Sequence, residues 1–351
     1  MRRSRLVVAG LLTLVCTACT GAGDLPPTPS PSGERPSASA LTRADFTMAG
    51  DKLKVMTTVS PITNIALNIG GDRIALYGLI PDGVDSHTFE PKPSDARIMA
   101  LADIVVVNGA HLEGNTKDMA QANMKSGAKL YELAEATITT GDDPQTGFIY
   151  DFSFPRERGD PNPHLWMNPK YAGRYAELLA QWFSEADAKN AAYYRSNYQA
   201  FQARIADLDQ RIRRAIATIP EKDRKLLTYH DAYAYFAREF GMEVIGAIQP
   251  SDFGEPSAQE VARLIDQIRA VGVPAVFGSE VYPSRVSEQI ARETGARYVD
   301  RMRDDEPPGP EDAPEHTYLG MMAENMKTMV TALGGNAEAF NGFQVTNTYG
   351  Q

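Results

Sequence analysis

Cysteine is almost missing: the 351 residues hold two, and both stand close to the start, at positions 16 and 19. The remainder of the chain therefore has no thiol with which to form an internal disulfide. It must cohere through the size of its core, for which about 300 residues are ample. Also lacking is any apolar run of the roughly 20 residues that a membrane-spanning helix needs. The nearest approach, residues 6–15, is much shorter. Basic residues are outnumbered, 35 Lys and Arg against 45 Asp and Glu, for a net charge of −10. That balance argues against nucleic acid as a partner, because phosphate binding needs concentrated Lys and Arg. Histidine is scarce too: only His87, His111, His164, His230 and His316 occur, so the setting of each is informative.

What is present begins with Arg2, Arg3 and Arg5, the apolar run 6–15 and the small-residue exit Cys16-Thr17-Ala18-Cys19. A basic stretch, a short apolar run and a small-residue exit predict a signal peptide over residues 1–19. Cys19 after Thr17-Ala18 looks like a bacterial lipoprotein cleavage site, at which the new N-terminal Cys becomes lipidated and anchors the chain to a membrane. The departure is Cys16, where Leu, Val or Ile is usual, and the plainer alternative is an ordinary signal peptide. Residues 20–50 are rich in Pro, Ser, Gly, Ala and Thr and hold few large apolar side chains. Such a stretch buries too little surface to offset its ordering entropy, and is expected to be a disordered tether.

From residue 51 onwards strands and helices alternate. Strands are expected at 54–59, 74–79 and 104–107, with helices at 62–69 and 94–101, the first opened by the cap and first-turn pair Ser60-Pro61 and closed by Gly70-Gly71. Helical patterns resume at 171–185 and then over 187–219, where Tyr194, Tyr198, Phe201, Ile205, Leu208, Ile212 and Ile216 recur every three or four residues. A second series follows: strands at 225–228, 243–248, 275–278 and 297–300, and helices at 230–239, 257–270, 286–293 and 317–333. Short loops between strands and helices imply βαβ units and parallel sheets. The expected architecture is α/β, two lobes each with a parallel sheet flanked by helices (51–186 and 220–338), joined by one long helix (187–219) and followed by a tail (339–351). A ligand of such open sheets binds at the carboxyl ends of strands, here in the cleft between lobes.

His87 lies in the turn-rich loop after the second strand, His164 behind Pro161 and Pro163, and His230 just after the strand 225–228. Three imidazoles at strand ends and loops of an α/β protein are placed to converge on one cleft. Their spacings are non-local, and each alone is more often a hydrogen-bonded structural residue than a ligand. The residues by themselves support no more than a histidine-rich site.

A family resemblance sharpens this. The segments Thr57-Thr58-Val59-Ser60-Pro61, Gly83-Val84-Asp85-Ser86-His87-Thr88-Phe89-Glu90-Pro91, Ala102-Asp103-Ile104-Val105-Val106-Val107-Asn108-Gly109, Asn162-Pro163-His164-Leu165-Trp166-Met167-Asn168-Pro169, Thr228-Tyr229-His230-Asp231-Ala232-Tyr233, Glu255-Pro256-Ser257 and Glu293-Thr294-Gly295 fall in order along the chain. Together they resemble the metal-binding solute receptors of zinc and manganese ABC importers, over residues 54–333. The resemblance implies two first-lobe histidines, one second-lobe His or Glu and one second-lobe carboxylate as metal ligands. By position these are His87, His164 and His230, with Asp300 as the carboxylate because Tyr298-Val299-Asp300-Arg301-Met302 fits its setting after Glu-Thr-Gly. Asp304 and Asp305, in the acidic loop beyond, stay open as alternatives.

The same resemblance implies an extracytoplasmic, monomeric receptor that carries Zn²⁺ or Mn²⁺ as cargo to a membrane permease, and not an enzyme. Imidazoles with one carboxylate suit that chemistry, and four protein ligands without room for water make a holding site. Three histidines favour zinc slightly over manganese. Glu255 and Glu280 are candidates to orient ring N–H groups, or else cap and surface residues. His111 is expected at the rim, His316 in solvent, and Trp166 as packing for the His164 loop. The alternatives are a secreted metal-dependent hydrolase, which would need a general base and a substrate pocket, and a metal-stabilised adhesin.

Overall fold

A computed structural model describes residues 42–141, 143–281 and 285–349. The signal peptide, Cys19 and residues 20–41 of the tether lie outside the described residues. The last part of the expected tether does not behave as one. Thr42 caps a short helix, Arg43–Thr47, that places Phe46 fully buried against Tyr77. Arg43 pairs with Asp95 and donates to Ser94 Oγ at 3.2 Å. A single buried aromatic ring thus draws this segment into the body, which includes residues 42–50 and does not start at residue 51.

Among the described residues, eight strands form two four-stranded sheets. The first contains β1 (Leu53–Thr57), β2 (Ile74–Gly78), β3 (Ile104–Val107) and β4 (Lys129–Glu132) in the order β2-β1-β3-β4. The second contains β5 (Lys225–Thr228), β6 (Glu243–Ala247), β7 (Ala275–Ser279) and β8 (Arg297–Met302) in the order β6-β5-β7-β8. Every pairing is parallel, so both lobes are βαβ units as expected. β3 reads as four consecutive buried residues, the mark of a strand covered on both faces. The edge strand β4, absent from the strands expected, sets only the pair Leu130 and Tyr131 between the charged Lys129 and Glu132, too short an apolar run to mark a strand.

The linking helix spans Ala191–Ala217, 27 residues and about 40 Å at the α-helical rise. It is shorter than the 187–219 expected because Ala188–Asn190 forms a separate 3-10 turn. Its buried stripe of Tyr194, Phe201, Ile205, Leu208, Ile212 and Ile216 packs against the helix Ser60–Gly70 of the first lobe and the helix Tyr318–Ala332 of the second. Burial at this spacing contributes roughly 1.5–3 kcal/mol for each large apolar side chain. One continuous core runs along it from Val55 and Ile104 to Phe236, Phe277 and Met326, while each sheet keeps a smaller cluster on its other face. The lobes therefore share a core along the linking helix instead of each closing its own.

The tail also ties the lobes. After the second-lobe helix Tyr318–Ala332 the chain returns across the linking helix, where Arg204 and Arg211 donate to the carbonyls of Gln344 and Ala339. It ends against the first lobe, with Asn347 accepting from Asn64 and Asn68 and the Thr348 N–H donating to Asn68 Oδ1. Among the described residues no helix is long and apolar enough to cross a membrane.

Candidate metal centre

Each site residue stands where a strand or a proline-stiffened loop has just ended. His87 follows β2, and its backbone N–H donates to Asp85 Oδ1 at 2.9 Å, which fixes the loop locally. His164 sits between the Pro161–Pro163 segment and the helix Pro169–Ala186, whose N-cap Asn168 accepts from the Lys170 N–H. His230 follows β5, and Thr228 Oγ1 donates to its carbonyl at 2.6 Å. The expected helix 230–239 begins only at Ala234, so His230 lies in an irregular turn and turns inward.

The three rings meet at one point. Their Nε2 atoms lie 3.2 Å (His87 to His164), 3.1 Å (His87 to His230) and 3.0 Å (His164 to His230) apart. With Zn–N bonds of about 2.0–2.1 Å, two ligands of a tetrahedral ion are about 3.3–3.4 Å apart, so the triangle is already close to ligand spacing. His164 and His230 are buried and His87 half-buried.

Side-chain amides hold two of the rings. His164 Nδ1 is 2.9 Å from Asn162 Oδ1, and His230 Nδ1 is 2.6 Å from Gln249 Oε1. An amide oxygen only accepts, so both rings carry their proton on Nδ1 and present a bare Nε2 to the centre. Asn162 in turn donates to the Asp231 carbonyl, and Gln249 to the Phe253 carbonyl at 3.3 Å. Phe253 is a non-glycine residue with φ +61, and its ring stacks on His87 at 4.6 Å and 15°. Replacing Gln249 by Ala should weaken metal binding about 10–100-fold by freeing the His230 ring, measurable by competition with a chelator of known affinity.

The carboxylate that faces the imidazoles is Asp304. Its Oδ2 lies 3.7 Å from His230 Nε2, and ligand atoms of His164, Asp304 and Asp305 fall within 4.8 Å of one another. Asp300, the residue preferred from the sequence, is exposed and outside the cluster. β8 runs on to Met302, where the Glu280 N–H still donates to the Met302 carbonyl, and it carries a register shift against β7. Asp300 is thus inside the strand, and the carboxyl end where ligands gather comes after it.

Glu280 and Glu255 orient no imidazole. Glu280 Oε1 instead accepts the backbone N–H groups of Asp304 (2.8 Å), Asp305 (3.0 Å) and Glu306 (3.3 Å), which folds the acidic loop around it. Glu255 is exposed, and the cap of the following helix is Ser257 with Glu260. Trp166 packs fully buried beside His164 and also donates its Nε1–H to the Asp304 carbonyl at 2.8 Å. His111 is exposed at the rim, 3.2 Å from Asp160. His316 is not in solvent: its side chain is 11% exposed and bridges Asp82 Oδ2 at 3.3 Å and the Gly309 carbonyl at 3.1 Å.

Burial sets the protonation of the cluster. His87 and His164 are held well below the ordinary imidazole value by desolvation first and by neighbouring histidines second, and His230 is lowered by desolvation. Asp304 is pushed well up by burial and by Glu280 and Asp305, and Asp305 is pushed up to about 7 by burial and Glu280. Neutral imidazoles and reluctant carboxylates in one dry pocket describe a site that wants a cation.

Comparison with known proteins agrees. Residues 55–332 match the family model described as ZnuA, zinc-uptake complex component A, periplasmic. The chain belongs to this family. The manganese-binding lipoprotein MntA of Bacillus subtilis is 31% identical over 297 residues, 81% of this chain and 91% of that protein. The iron-binding protein YfeA of Yersinia pestis is 29% identical over 300 residues, 85% of this chain and 92% of that protein. Among solved structures, the periplasmic zinc binding protein TroA from Treponema pallidum aligns with a TM-score of 0.71 at 27% identity, covering 80% of this chain and 99% of that one. Membership of the ZnuA family bears out the resemblance read from the sequence motifs, and nothing in these relatives favours a hydrolase or an adhesin.

Proposed function

We propose that this chain captures one divalent transition-metal ion, Zn²⁺ or Mn²⁺, outside the cytoplasm through His87, His164, His230 and Asp304, and hands it to an ABC permease. The observation that carries the reading is the pair of bare Nε2 lone pairs of His164 and His230 facing each other at 3.0 Å, with their protons committed to Asn162 and Gln249. Lone pairs so placed repel unless a cation lies between them. The names of the relatives support transport cargo: manganese for MntA, iron for YfeA and zinc for TroA. Three imidazoles and a carboxylate suit either zinc or manganese. Holding, not catalysis, fits the arrangement, because the inward-facing donors are ligands and none is left as a free general base. Several relatives are named lipoproteins, which supports the anchor expected at Cys19.

Equilibrium binding tests the ligand set. Asp304→Asn is expected to weaken metal binding by about 100-fold or more, since it withdraws the charge that faces the ion. Asp300→Asn is expected to leave affinity within about 3-fold, as surface changes away from special features cost little. The reverse pattern, measured by chelator competition with one metal per chain as the stoichiometry, would return the site to Asp300.

A further inference from the structure

The first-lobe loop that carries His87 and the second-lobe loop that carries Asp304 touch at two places. Beside the metal centre, Ser86 donates to Asp305 Oδ2, from its N–H at 3.3 Å and from its Oγ at 2.9 Å. Away from it, His316 Nε2 stands 3.3 Å from Asp82 Oδ2, and His316 Nδ1 stands 3.1 Å from the Gly309 carbonyl. The two side chains are 11% and 27% exposed, so water screens the pair only in part. Both ends are anchored. His316 donates its N–H to the Ala313 carbonyl at 3.0 Å and directly precedes Thr317, the cap of the helix Tyr318–Ala332. Pro307, Pro308, Pro310 and Pro314 stiffen the loop between it and Asp304. On the other side Asp85, three residues after Asp82, accepts from the His87 N–H and from Thr88 Oγ1 at 2.5 Å, so a pull on Asp82 is passed to His87.

Chemistry sets the state of the His316 ring. A carbonyl and a carboxylate only accept, so the two contacts together need a proton on each ring nitrogen, and the ring that satisfies both is a cation. Its surroundings favour that charge: segments 82–85 and 306–316 carry Asp82, Asp85, Glu306, Glu311, Asp312 and Glu315 and no Lys or Arg. Arg303, just before them, is committed to Glu306 and Glu324. We propose that His316 and Asp82 form an ionic latch between the lobes, which closes outside the metal centre and slows release of the bound ion. His87 and Asp304 part only when their two loops do, and the latch holds those loops together. Neither latch residue belongs to the ligand cluster, so the latch acts on departure of the ion and leaves capture nearly unchanged. This inference rests on the metal-receptor reading above and adds the control of release.

The test follows Zn²⁺ uptake, and Zn²⁺ release to excess chelator, by stopped flow for the wild type, Asp82→Asn, His316→Gln and the double variant. Each single variant should release the ion about 10-fold faster while uptake stays within about 3-fold. The double variant should be no faster than the singles, because either change alone opens the latch. Raising NaCl from about 0.05 M to about 1 M should quicken release from the wild type and leave the variants nearly unmoved, a signature that a packing role would not give. Asp82→Asn is nearly isosteric, so it carries the test even where His316→Gln folds poorly. Release unmoved by Asp82→Asn overturns the proposal, as do losses that add in the double variant or a salt effect equal in all four proteins. A wild type that binds no Zn²⁺ overturns both readings, whereas tight binding with release unmoved by either variant overturns only this one.

Discussion

Replacing His164 by alanine is expected to lower metal affinity by at least about 1,000-fold, well beyond the 10–100-fold that follows loss of an outer hydrogen-bond partner. His164 is fully buried, and its Nε2 stands 3.2 Å and 3.0 Å from those of His87 and His230, so no neighbour can move in to replace it without unpacking. The substitution also strips Asn162 Oδ1 of its ring partner and leaves a gap beside Trp166. Those two losses should cost about 1–3 kcal/mol of metal-free stability. That is a small part of what a core continuous through both lobes supplies, so the variant should still unfold in one cooperative step. Calorimetric titration for affinity and thermal unfolding for the metal-free protein separate the two effects. Near wild-type affinity with a cooperative fold would remove His164 from the ligand set.

Affinity should also fall steeply with acid, and the carboxyls should be the cause. The proposed metal-bound form needs Asp304 ionised, while without metal both it and the neighbouring Asp305 hold their protons to unusually high pH, Asp305 to about 7. The metal-free state therefore binds more protons than the metal-bound state, and affinity must rise with pH. Below about pH 7 each carboxyl that has to lose a proton contributes up to a tenfold loss per pH unit. Between pH 7 and pH 5 the expected fall is about 100-fold or more, with proton release on binding measurable by titration in buffers of different ionisation enthalpy. The imidazoles add little in this window, because burial already keeps His87 and His164 neutral well below the usual range. Asp305→Asn should make the profile shallower, whereas control by the histidines would leave it unchanged and place the midpoint near the ordinary imidazole value.

Local pattern carried a good part of this protein into view. Apolar strands between turn residues gave both parallel sheets except the edge strand β4, and the stripe from Tyr194 to Ile216 gave the linking helix to within a few residues at each end. Scarcity of histidine and the proline-stiffened setting of His164 made His87, His164 and His230 legible as a set. These features depend on neighbours a few residues away, and sequence records such neighbours directly.

Tertiary structure alone decided the rest. Whether β8 ends at residue 300 or 302 depends on its pairing with β7, and those two residues separate an exposed Asp300 from an Asp304 that meets the imidazoles. Gln249 is 19 residues from His230 and carries no local mark of its role, which exists only because β6 lies beside β5. Phe46 looked like one ring in a polar tether until Tyr77 supplied its contact. In each case the deciding interaction joins residues far apart in the chain, and the energy of such a contact is set by packing and burial that no short window contains.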